Sequence, residues 1–170
     1  LNDGSVNQVD ASVFFSAGKT LTVNGTLTWG FDATHPGHAN MTNGGTLVLK
    51  GTINSPKAVL TAGSGTVILN GTSAQTLSSS LTFNNLTIDN AAGVTLLADE
   101  TVNGTLNFAN GKITLGSNYL TIGSSGSIAN ANASRYVVTN GHLVRKGVGT
   151  TAKDFPVGRS TEYVFLSKKS

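Results

Sequence analysis

The segment Asp32-Ala33-Thr34-His35-Pro36-Gly37-His38 holds two imidazoles and a carboxylate in one short stretch. Such groups can fill three corners of a tetrahedral zinc site. The spacing argues against that chemistry. His-x-x-His across Pro-Gly does not put both rings on one helix face, and no Glu lies between them to act as general base. We expect no metal here. The segment interrupts a strand pattern between Trp29 and Met41, so it reads as a surface loop bulging from the body. With Trp29 and Phe31 beside Asp32, His35 and His38, this loop is the expected ligand-contact patch. A Trp in such a place either stacks on a sugar ring or covers a strand edge, and the second use is the commoner.

Carboxylates are the other candidates. Asp99 and Glu100 are adjacent, so on a strand they point to opposite faces and cannot form an acid/base pair. Asp89 reaches them only if rungs of a coil stack, the way catalytic acids assemble in pectin-degrading β-helices. Carboxylates are also ordinary corner residues, and exchanging Asp89, Asp99 and Glu100 together is expected to leave stability nearly unchanged. No Gly-x-Ser-x-Gly elbow is present, and Gly123-Ser124-Ser125-Gly126 reads as a turn. Phosphate loops, dinucleotide fingerprints and the calcium nonapeptide are absent too. There is no cysteine, which removes disulfides, thiolate metal sites and a cysteine nucleophile. The expectation is a non-enzyme with no catalytic residue and no cofactor.

The elements that would position these groups are strands. Of 170 residues only 11% are charged and 6% aromatic, against 21 Gly, 23 Thr, 17 Asn and 17 Ser. Soluble enzymes usually carry about a quarter charged residues, so this is a strand-and-turn composition. No apolar run approaches the ~20 residues of a membrane span, and no membrane insertion is expected. Leu1-Asn2-Asp3 lacks a basic start and an apolar run, so no signal peptide is expected and the stretch reads as part of a longer chain. Charge is uneven: residues 1–134 carry a net −2 and residues 135–170 a net +5. The basic residues are scattered without interleaved aromatics, so no nucleic-acid partner is expected.

Internal repetition is the strongest signal. Gly45-Thr46-Leu47-Val48-Leu49-Lys50-Gly51-Thr52 returns, 20 residues on, as Gly65-Thr66-Val67-Ile68-Leu69-Asn70-Gly71-Thr72. Thr20-Leu21-Thr22-Val23-Asn24-Gly25-Thr26 lies 26 residues upstream of its counterpart, and a later copy ends Thr101-Val102-Asn103-Gly104-Thr105. Strand-and-turn repeats of this length mark a solenoid. Apolar residues alternate with Thr, Ser and Asn, as in Leu47/Leu49, Val67/Leu69, Leu86/Ile88 and Leu106/Phe108, placing one set inside and the other on a wetted face. Asn-Gly recurs at 24–25, 43–44, 70–71, 103–104, 110–111 and 140–141, which the even step assigns to coil corners rather than hairpins. The Thr-x-Thr pairs Thr20/Thr22 and Thr26/Thr28 do not recur in register on later rungs, which argues against an ice-facing array.

The fold expected is all-β, a parallel β-helix or β-solenoid with almost no helix. Residues 1–17 read as an N-terminal cap or continuation, with Phe14 and Phe15 over the first rung, and residues 18–134 as the repeats. Residues 135–170 read as a β-rich terminal cap or the start of a following β-sandwich. About seven rungs at a spacing of about 4.8 Å are expected before residue 140.

Several phrases, in order, carry a resemblance. Gly65-Thr66-Val67-Ile68-Leu69-Asn70-Gly71-Thr72-Ser73-Ala74-Gln75-Thr76-Leu77 is followed by Leu81-Thr82-Phe83-Asn84-Asn85-Leu86-Thr87-Ile88-Asp89-Asn90. Then come Val102-Asn103-Gly104-Thr105-Leu106-Asn107-Phe108, Tyr136-Val137-Val138-Thr139-Asn140-Gly141 and Phe155-Pro156-Val157-Gly158. Over roughly residues 18–165 the chain resembles repeat regions of large secreted surface proteins of Bacteroidetes. Passenger segments of autotransporters and filamentous haemagglutinins look similar in composition. The resemblance implies an extracellular or cell-surface location, export by the type IX route, and an adhesive or scaffolding role without catalytic residues. Its implied partners are neighbouring repeats of the same protein, surface glycans or further copies of itself.

Overall fold

The computed structural model describes residues 12–28, 36–54 and 57–169. Every regular element among them is a β-strand, and the strands wind into a three-faced coil. The first turn takes β1 (Ser12–Ser16), β2 (Thr20–Val23) and a bridge at Leu27. The second takes β3 (His38–Asn43), β4 (Thr46–Leu49) and a bridge at Ile53. Three-strand turns follow: β5 (Val59–Thr61), β6 (Thr66–Leu69) and β7 (Gln75–Leu77), then β8 (Thr82–Phe83), β9 (Asn85–Asp89) and β10 (Val94–Leu96). Next are β11 (Glu100–Val102), β12 (Thr105–Asn110) and β13 (Ile113–Thr114), then β14 (Tyr119–Ile122), β15 (Ser127–Ala129) and β16 (Val137–Val138). The chain ends through β17 (His142–Arg145), β18 (Lys153–Gly158) and β19 (Tyr163–Lys168).

Equivalent strands stack in parallel. The first face is β2, β4, β6, β9, β12 and β15; the second is β7, β10, β13, β16 and β18, with β19 antiparallel on its edge. The third face is two sheets, β1-β3-β5 and β8-β11-β14-β17. The expected β-solenoid is therefore present, with six turns of the first face among the described residues. Along the first face one turn takes 26, 20, 19, 20 and 22 residues in succession, so the step is uneven.

The repeat that signalled the coil is literally stacked: Thr46 lies on Thr66, Leu47 on Val67 and Leu49 on Leu69. The earlier copy stacks equally, Thr20 on Thr46. The later copy does not. Thr101-Val102 lies on the third face and leads into the first, whereas Thr22-Val23 lies on the first and leads into the second. Asn-Gly serves all three corners, so the same phrase occurs at non-equivalent places. At Gly111, with φ +76°, an added Cβ would collide with the Asn90 carbonyl of the turn before. Corner glycines are thus needed for close stacking as well as for their dihedrals.

Alternation sends one side chain of each pair into continuous inner rows. Leu47, Val67, Leu86 and Leu106 form one row, and Leu49, Leu69, Ile88 and Phe108 another, all buried. Each such side chain contributes about 1.5–3 kcal/mol by leaving water. One row of the second face starts with a polar residue: Gln75 precedes Val94, Ile113, Val137 and Val157 in register. Its amide is satisfied, accepting from Gly71 N at 2.9 Å and donating to the carbonyls of Leu49 at 3.0 Å and Gly51 at 2.5 Å. Asn90 Nδ2 also donates to Gln75 Oε1, at 2.8 Å.

At the N-terminal end β1 pairs with β3, Phe15 is buried and Phe14 is 75% exposed. At the other end the change in composition after residue 134 does not interrupt the coil, because β16, β17 and β18 continue the parallel stacks. After β17 the chain omits the first face and passes directly to β18. It then reverses through a hairpin at Arg159–Glu162 into β19.

Candidate functional site

Of the expected contact patch, Trp29, Phe31, Asp32 and His35 lie outside the described residues. His38 is half-buried on the outward side of β3, opposite Val59, while its neighbour Ala39 points into the core. Residues 38–40 are thus a strand paired on both sides, so an excursion there ends before His38. Among the described residues no three His, Cys, Asp or Glu side chains come together.

The three carboxylates do not converge. Each instead ties one turn to the next. Asp89 accepts from Asn70 Nδ2 at 2.6 Å, across the first face. Asp99 Oδ1 accepts from Tyr119 N at 2.8 Å, one turn on. Glu100 Oε2 accepts from Leu81 N at 2.8 Å, one turn back. Asp99 and Glu100 do face opposite ways, as adjacency requires, but Glu100 is the inward one. It is 1% exposed and sits in register between Leu81 and Leu120, two leucines of the inner row. Its Oε1 has no hydrogen-bond partner. Burial outweighs the stabilising Leu81 N–H and pushes its pKa up to about 9, with nearby Asp99 adding to the rise. A joint exchange of the three acids therefore reaches the core, contrary to the expectation that stability is indifferent to it.

Arg145 closes another inner row. It stacks in register on Ile122, which stacks on Val102. Burial lowers its pKa, while Asp154 counteracts this. Spacing carries a signal for both, since Glu100 stands two residues from Val102 and Arg145 two from Leu143, so each shares the side of an apolar neighbour.

The wetted faces carry ordered hydroxyls. Single members of the Thr-x-Thr pairs do recur: Thr20, Thr46 and Thr66 form one column, and Thr76, Thr95 and Thr114 another. Thr26 and Thr52 continue the second column, with hydroxyls 3.4 Å apart. The unequal turn lengths hide this register in the sequence. The pairs themselves do not repeat, since Val48 and Ile68 follow Thr22 in the neighbouring column.

Over that second face lies a groove of about 690 Å³. Its floor is Thr95, Thr114 and Val138, and it runs along the coil axis. One wall is the stacked corners Ala91–Gly93, Gly111-Lys112 and Ser134; the hairpin residues Arg159 and Ser160 close the C-terminal end. Lys112 is held in place, with Nζ donating to Ser160 O at 2.7 Å and lying 4.6 Å from the Tyr136 ring centre. The buried Tyr136 in turn donates its hydroxyl to Arg159 O at 2.5 Å and packs on Tyr163, ring centres 5.2 Å apart. Among the described residues no carboxylate lines the groove.

No family model, curated protein or solved structure matches the chain.

Proposed function

We propose that this chain is a non-catalytic structural and adhesive module of an extracellular bacterial repeat protein. The residue-level resemblance to secreted Bacteroidetes surface repeats supports the location, and with it export by the type IX route. The observation that carries the non-catalytic part is the use of the carboxylates. Asp89, Asp99 and Glu100 each hook an adjacent turn and none faces another across a cleft. Polysaccharide hydrolysis or elimination needs at least two converging acid/base groups. A coil of this kind extends and displays, and its affinity comes from many weak contacts repeated along a long chain.

The test has two arms. Antibody labelling of intact cells that make the parent protein is expected to detect this segment at the surface. Incubation of the purified chain with a polysaccharide panel is expected to release no product. Cleavage that disappears in an Asp89→Asn/Asp99→Asn variant overturns the non-catalytic reading in favour of a polysaccharide-degrading β-helix.

A further inference from the structure

We propose that the groove on the second face binds a strand of anionic polysaccharide, with Lys112 and Arg159 taking its acidic groups. The inference rests on the adhesive reading above and assigns that reading a ligand class and a place. Charge comes first. Among the described residues two cations line the groove and no carboxylate does, Glu162 of the same hairpin being outside the lining. Both cations are set on fixed backbone. Arg159 N donates to Glu162 O at 2.8 Å and its carbonyl accepts the Tyr136 hydroxyl, while Lys112 is anchored at Ser160. An ammonium has three donors, so Lys112 keeps two for a ligand, and a guanidinium pairs bidentately with a carboxylate or sulfate. Lys112, held at Ser160, is a preorganised donor and loses less on binding than a free surface side chain does.

The remaining lining selects among anions. Thr95, Thr114, Thr139, Ser134, Ser160 and Asn140 offer hydroxyls and an amide at successive levels of the coil, which match the hydroxyls of a sugar chain. Ala92 and Val138 supply apolar surface for its C–H faces. Among the described residues no exposed aromatic lines the groove for a base to stack on, which disfavours nucleic acid. The groove crosses four levels of the second face, from Thr95 through Thr114 and Val138 to the hairpin after β18. Three steps of strand spacing are about 14 Å, room for a short oligosaccharide lying along the axis.

Calorimetry of the intact chain with an oligogalacturonate and with a sulfated galactan oligosaccharide tests this and separates carboxylate from sulfate as the preferred group. Binding of at least one is expected, weakening as salt is raised, with at least a tenfold loss in Lys112→Gln/Arg159→Gln. A second measurement guards against misfolding of that variant: in the wild-type chain, amide shifts on titration are expected at Thr95, Thr114 and Val138. The proposal is overturned if neither acidic oligosaccharide binds, or if a neutral cello-oligosaccharide binds equally well. Equal affinity for polyglutamate or duplex DNA also overturns it, as do shifts confined to another face. Absence of binding with cell attachment intact removes the groove and keeps the adhesive reading. Cleavage of a bound oligosaccharide does the reverse.

Discussion

Glu100 shows how far one residue can depart from its surroundings. A carboxyl among inner-row leucines is tolerated because it stays protonated, accepting one backbone N–H. Its folded-state pKa of about 9 stands well above the ordinary carboxyl value of 4.5. Between those values the folded chain holds a proton that the unfolded chain has released, so its contribution to stability is complete at acid pH and falls as pH rises toward 9. Glu100→Gln keeps an acceptor for Leu81 N and cannot ionise. That variant is expected to lose the decline and to melt at least about 3 °C higher than wild type at pH 8, the shift that about 1 kcal/mol produces in a chain of this size. Parallel pH profiles for the two proteins would contradict this account. Gln75 is the converse case, a polar residue whose apolar replacement does harm. Gln75→Val matches the valines above it but takes from Gly71 N and the Gly51 carbonyl the partner that Gln75 supplies, while Asn90 Nδ2 keeps Ser73 O and the Leu49 carbonyl keeps Asn70 N. Urea denaturation is expected to register a loss of about 2 kcal/mol, and a neutral result would show that water replaces the amide.

Strands among the described residues are two to six residues long, so none of them is stable alone and each depends on its neighbours in the stack. Leu69, 1% exposed, stands between Leu49 and Ile88 in one inner row. Leu69→Ala is expected to cost about 2–5 kcal/mol, and Leu69→Asp to prevent folding by placing an unpaired charge between turns. Soluble, monomeric Leu69→Asp protein with an unchanged circular dichroism spectrum would contradict that row. The same dependence limits loop surgery. A deletion of residues 31–40 removes the start of β3, whose residues pair with β1 and β5, so it unseats two strands rather than trimming an appendage.

At the scale of the molecule, stability is a sum over turns and their contacts, highest where a turn has neighbours on both sides. On the first face β6, β9 and β12 satisfy that condition, each paired on both sides, whereas on the third face the sheet breaks between β5 and β8. The C-terminal end does not satisfy it: β19 covers only the second face and leaves Phe165 56% exposed on its outer side. Hydrogen exchange is expected to be slowest in β6, β9 and β12 and to quicken toward both β2 and β19. A single uniform exchange rate along the coil would mean that it unfolds as one unit.

The alternation of apolar and polar residues and the 20-residue return of Gly45–Thr52 were sufficient by themselves for an all-β coil, since both are local or nearly local signals. The inner rows of the first face and the corner role of Asn-Gly are equally legible there. What the sequence leaves open is the depth of individual side chains and the face of the coil they belong to. Adjacency separates Asp99 from Glu100, and the i, i+2 step to Val102 points Glu100 inward, but its full burial between Leu81 and Leu120 exists only once the turns stack. A phrase such as Val102-Asn103-Gly104-Thr105 does not announce its face, because all three corners share one chemistry. The groove draws on segments from Ala91 to Ser160 that meet only because turns of unequal length bring them to one face. Register accumulates the length of every corner before it, and that sum exists only in the folded coil.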